Sequence, residues 1–73
     1  MRSEEYVTIV ARFMRRTAKA VLLAQGDSVP RGAWIPRSCI HGVDEKQIDD
    51  AATGQELTLR IFEWIAERKS FIW

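Results

Sequence analysis

Residues 6–16 read Tyr-Val-Thr-Ile-Val-Ala-Arg-Phe-Met-Arg-Arg. Val7, Ile9, Ala11 and Phe13 fall on one side at period two. Tyr6, Thr8, Val10, Arg12, Met14 and Arg16 fall on the other. An apolar row backed by a mixed row is the pattern of a strand with one buried and one wet face. Helix is the competing reading, and the succession Val7, Thr8, Ile9, Val10 opposes it, because branching at Cβ crowds the preceding helical turn and suits a pleated surface. A strand of this length needs antiparallel neighbours on its edges and a cover on its apolar side. It therefore dictates much of what 73 residues can become.

The rest of the chain supplies those parts. Residues 19–25 are apolar on both faces, which predicts a second, central strand, with Thr17-Ala18 as a tight connection. Residues 26–32 hold Gly26, Pro30 and Gly32 and predict a turn. A third strand is expected over residues 33–40. Pro36 has no N–H for a ladder, so that strand belongs at an edge or bulges there. Residues 41–55 are polar and predict a loop with room for one helical turn. A fourth strand over residues 56–61 puts Leu57, Leu59 and Ile61 inward, with Thr58 and Arg60 outward. A short helix over residues 62–69 presents Phe62, Ile65 and Ala66 on one face and ends on Arg68 and Lys69, which suit its C-terminal dipole. Phe71-Ile72-Trp73 is expected to tuck under the sheet. The prediction is an α+β domain spanning residues 1–73: a small bent antiparallel sheet of about four strands, SH3-like or a partial OB-type barrel, closed by one short C-terminal helix.

Size and composition exclude whole classes of function. The chain is too short for most folds that build a deep catalytic cleft, and at 47% hydrophobic and 29% charged residues it is globular rather than disordered. A domain this small covers only about 60% of the surface its unfolded chain exposes. Such domains lean on disulfides, a metal, a partner or dense packing. Cys39 is the only cysteine, and Cys39 and His41 are the only soft ligands, so neither an internal disulfide nor a four-ligand zinc site is available. Dense packing of seven aromatic side chains, or a homodimer, is left. The lone cysteine predicts a reducing, cytoplasmic setting. No apolar run follows Met1–Glu5 as in a signal peptide, and no run of about 18 apolar residues predicts a membrane span.

Motifs for catalysis are missing. His41 stands near Asp44 and Glu45, but Ser28 and Ser38 lack a nucleophile elbow. Asp44, Glu45, Asp49 and Asp50 lack the glycine and closing glutamate of a calcium loop. Gly26 and Gly32 have no following helix and Lys to make a phosphate loop. The expectation is a protein that is not an enzyme and takes no cofactor. Cys39 reads as a small core residue.

Charge is unevenly spread. Residues 1–40 carry a net +4 and residues 41–73 a net −3, giving +1 for the chain. Two recognition surfaces follow. Arg12, Arg15, Arg16, Lys19, Trp34 and Arg37 form a basic set with an aromatic, with Arg12 and Arg16 sharing the outward side of the first strand. Cations that track phosphate beside a ring that stacks a base are how small barrels hold single-stranded nucleic acid. The second surface is the acidic loop Asp44, Glu45, Asp49 and Asp50, which predicts a phosphate mimic seated in an arginine-lined groove of another protein.

Three blocks carry a resemblance: Lys19-Ala20-Val21-Leu22-Leu23, Trp34-Ile35-Pro36-Arg37-Ser38 and Phe62-Glu63-Trp64-Ile65-Ala66-Glu67-Arg68-Lys69. Together they resemble a group of small phage, prophage and plasmid proteins with a KA-L-L strand, a W-[IV]-P-[KR]-S strand and a closing W-[LI]-A helix. The sequence departs from that pattern at Phe62, where the group has a helix-opening proline, and at Ser70, where it has a glycine. The resemblance implies an accessory protein of a mobile element that occupies a host macromolecule, inhibitors of CRISPR systems being the prominent example. The expected partner is thus a host protein or nucleoprotein, or single-stranded nucleic acid.

Overall fold

The computed structural model describes residues 5–73. In chain order it contains β1 (Tyr6–Arg16), β2 (Ala20–Gln25), β3 (Val29–Pro36), a 3-10 turn (Arg37–Cys39), α1 (Gly42–Glu45), α2 (Gln47–Asp50), β4 (Glu56–Phe62) and α3 (Glu63–Arg68). The strands form one antiparallel sheet in the order β3-β2-β1-β4. The α+β class and the four-stranded sheet match the sequence pattern.

β1 is shared. Its residues Tyr6 to Arg12 pair with β4, and its residues Arg12 to Arg16 pair with β2. Ile9, Ala11 and Phe13 face inward beside Val21, Leu23, Ile35, Leu57, Leu59 and Ile61, all of them buried. A second layer covers this apolar floor: Cys39, Ile40, Ile48, Ala51, Ile65, Ala66 and Phe71. Among the described residues no polar or charged side chain is fully buried, so the core carries no desolvation penalty of that kind.

Several predicted boundaries shift. β3 starts at Val29, not Ala33, and ends at Pro36, not Ile40. A register shift between Leu23 and Gln25 keeps Gln25 paired with Val29, and Gly32 takes the positive φ of 85° that a side chain resists. At the other end Arg37 N–H donates to Lys19 O at 2.8 Å. Alternation then points the Pro36 nitrogen away from β2, where its missing hydrogen costs no ladder bond. The chain next closes the 3-10 turn, and Ile40 bridges to Ile61 on the outer side of β4. The polar segment holds two short helices rather than one turn, and Ile48, fully buried, pins them to the core. Of the tail only Phe71 is buried; Ile72 and Trp73 are more than half exposed.

One correction changes the working surface. β1 has a bulge: Phe13 pairs with Leu23 and Arg15 with Leu22, leaving Met14 as the extra residue. A bulge reverses the alternation beyond it. Arg15 therefore joins Arg12 on the outer face. Arg16, expected outside, pairs with Val21 and turns to the covered side.

Candidate functional site

The inner face of the sheet is covered, so the outer face is the surface that remains. Register puts Thr8, Val10, Arg12 and Arg15 of β1 on it, with Ala20 and Leu22 of β2, Trp34 of β3, and Glu56 and Thr58 of β4, while Ala24, opposite Arg12, is buried. Arg15, Leu22 and Trp34 lie in one row across three strands. With strands about 4.8 Å apart, the Arg15 and Trp34 backbones stand about 10 Å from each other.

The basic set divides in two. Arg12, Arg15 and Lys19 are exposed, and their side chains have no hydrogen bond or ion pair among the described residues. Glu56 lies opposite Arg12 and offsets part of its field. Among the described residues the uncompensated charge of the outer face is thus centred on Arg15, with Lys19 in the adjoining turn. Trp34 is 43% exposed, and its indole has no ring, cation or hydrogen-bond partner among the described residues. An open groove of about 670 Å³ joins Trp34 and Arg15 to Met14, Thr17 and Thr53, and Phe13 and Arg16 line it as well.

Arg16 and Arg37 do other work. Arg16 Nη1 donates to Ile48 O at 3.3 Å and Ala51 O at 3.2 Å, and its guanidinium lies 5.6 Å from the Phe13 ring centroid. It ties α2 to the end of β1. Arg37 Nη2 pairs with Asp49 at 2.8 Å, its Nε bonds Glu45, and its Nη1 donates to Thr17 O at 3.2 Å. Its side chain is only 14% exposed. The hydrogen bonds it donates to Asp49 and Glu45 hold its proton more firmly than usual, against some desolvation.

The acidic loop is likewise engaged within the chain. Asp44 accepts Arg60 Nε at 2.7 Å, Arg60 Nη2 at 3.2 Å and Arg60 N–H at 2.9 Å. His41 N–H donates to Arg60 O at 2.8 Å, so residues 41–44 shield the outer edge of β4, a position where bare strands invite pairing. Arg60 keeps the Asp44 carboxyl ionised below the ordinary carboxylate range. Of the four acids in the set, Asp50 alone has no side-chain partner among the described residues.

His41 caps α1 through Nδ1, which accepts Val43 N–H at 3.3 Å, and its ring meets Tyr6 edge-on at 5.1 Å. Among the described residues no group of three or more His, Cys, Asp or Glu is placed to hold a metal ion. No described helix is long and apolar enough to cross a membrane. No known protein family matches the chain, and no curated protein or solved structure does either.

Sequence reasoning missed three participants. Met14 and Leu22 enter through the bulge and the register, which depend on pairing between distant segments. Arg60, read only as an outward strand residue, is the partner of Asp44.

Proposed function

We propose that this chain is a non-enzymatic binding protein of a mobile element, acting in the cytoplasm, which occupies a phosphate-bearing host macromolecule: nucleic acid, alone or within a nucleoprotein. The observation that carries this reading is the outer sheet face. The fold leaves much of it uncovered, yet places in one row Trp34 and Arg15, whose side chains have no partner among the described residues. Arginine and tryptophan are the side chains that dominate binding energy at interfaces. Asp44, Glu45 and Asp49 are neutralised at home, so the basic face, not the acidic loop, makes the contact. The long shared β1 and the helical segment between β3 and β4 support a partial OB-type barrel, a fold that presents such a face.

Anisotropy of a labelled nucleic acid titrated with the intact chain tests this. Binding is expected in dilute buffer and weakens with salt, since two cations on a single strand give a log–log slope of roughly −1.4. Arg15→Ala with Lys19→Ala should lower affinity, while Arg68→Ala, in the opposite layer, should not. Absence of binding to any nucleic acid at low salt would overturn the proposal. A purely proteinaceous host target is the second reading, favoured by exposed Tyr6 and Val10 farther along the same strand. It requires loss of the target on Val10→Asp but not on loss of Arg15.

A further inference from the structure

We infer that the bulge in β1 builds a one-base notch, in which an unstacked nucleobase lies on Trp34 and its phosphate on Arg15, so that the face takes single-stranded nucleic acid and rejects duplex. This rests on the reading of the outer face given above and narrows its ligand.

The bulge decides which residue completes the row. Under strict alternation Met14 would stand opposite Leu22, and the row running to Trp34 would be entirely apolar. With Met14 extruded, Arg15 takes that place. Backbones about 10 Å apart across the sheet let a guanidinium and an indole lining one groove take a ligand whose charge and ring are separated by a sugar. Met14, the extra residue of the bulge, lines the same groove.

Leu22 stands between Arg15 and Trp34 in the row, and Gly32 leaves room for its side chain. A Cβ at Gly32 would come within 3.0 Å of Leu22 Cδ1 and 3.1 Å of Leu22 Cγ. The leucine side chain thus leans into the space that glycine leaves. The groove that Arg15 and Trp34 line is open and of about 670 Å³, inside the range of small-ligand sites. Thr17 and Thr53 bring hydroxyls to its rim.

The ring face gives the selectivity. A base inside a duplex is stacked on both sides and offers no face to Trp34, whereas a single strand can turn a base outward at little cost. Coulomb attraction to the cations favours the more densely charged duplex. Discrimination must therefore come from the indole.

Single strands of thymidine and of uridine about ten nucleotides long, and a hairpin duplex of equal charge, are titrated with the full chain at one ionic strength. Single strands should bind at least about 10-fold tighter than the hairpin. Trp34→Ala should cost about 10- to 100-fold on the single strands while leaving hairpin binding and the salt slope unchanged. Trp34→Phe should recover part of the loss. Arg15→Ala should reduce the slope by about 0.7. Trp73→Ala should change nothing. Trp34 is surface-exposed, and an unchanged Tm shows that its variants fold. Equal affinity for hairpin and single strand, or no effect of Trp34→Ala, would overturn the notch while leaving a phosphate-binding face. No binding of either probe would overturn both.

Discussion

Arg37 and Arg15 show how one residue type serves two ends. In the sequence an exposed arginine and an arginine that organises a loop look alike. Their difference lies in acids 8 and 12 positions away: Arg37 meets Glu45 and Asp49, whereas Arg15 meets none among the described residues. Asp44, neutralised by Arg60, permits a test by pH. Its carboxyl is held below the ordinary range, first by hydrogen bonds from the Arg60 side chain. A carboxyl depressed in the folded state contributes stability that is whole above its unfolded value and is lost as pH falls through its folded value. Asp44→Asn should therefore lower Tm at pH 7, by roughly 5 °C for a chain of this size. The gap between variant and parent should close as pH drops below about 4. Thermal unfolding of both proteins from pH 7 to pH 2.5 checks this; a gap that stays constant would show that the carboxylate charge is not what stabilises the edge.

Elements whose periods run uninterrupted are legible in the amino-acid order alone. The inner row Val7 to Phe13, the apolar β2 and the alternation of β4 all hold in the fold, because each is a local pattern set by one buried face. Features fixed by partners elsewhere are not legible in this way. The bulge at Met14 follows from how β1 meets β2, and it moves Arg16 off the outer face. The start of β3 is hidden because Gly26, Pro30 and Gly32 have turn chemistry, although Val29 still pairs with Gln25. The candidate surface is accordingly half legible: Arg12, Arg15 and Trp34 share the outer face, Arg16 reaches the groove from the covered side, and Arg37 is held by Glu45 and Asp49. The end of α3 is a local feature that the sequence does expose. Phe71 N–H donates to Ala66 O at 2.9 Å and Ser70 N–H to Glu67 O at 3.2 Å, the paired bonds of a Schellman closure. It places Ser70 at φ 67°, a conformation glycine adopts without penalty. Ser70→Gly should stabilise the domain by about 0.5–1 kcal/mol, read as a rise in the urea midpoint at constant m-value. An unchanged or lowered midpoint would mean that the serine side chain offsets its own strain.

At the scale of the molecule the chain is a slab of 35 × 26 × 17 Å, one sheet and one covering layer. Its radius of gyration of 11.0 Å equals what about 73 well-packed residues require. With so little volume to fill, the tail after α3 still gives the core one ring, Phe71. Gln25 makes this possible. Its side-chain amide donates to Ile72 O at 2.8 Å and to Val10 O at 3.1 Å, and accepts Ile72 N–H at 2.6 Å. One amide thus stands in for a strand between β1 and the tail, and holds Phe71 against the sheet. The neighbouring aromatic, Trp73, projects outward instead. Two nearby truncations should therefore differ widely. Phe71→Ala removes a ring that is 3% exposed and should cost about 3 kcal/mol or more, a large share of the stability a domain this small possesses. Trp73→Ala removes an exposed ring and should stay within about 0.5 kcal/mol. Urea unfolding of the two variants decides the matter. Similar losses would mean that the tail is held by Trp73 as well, and that the second layer extends beyond the end of α3 in a way Gln25 alone does not explain.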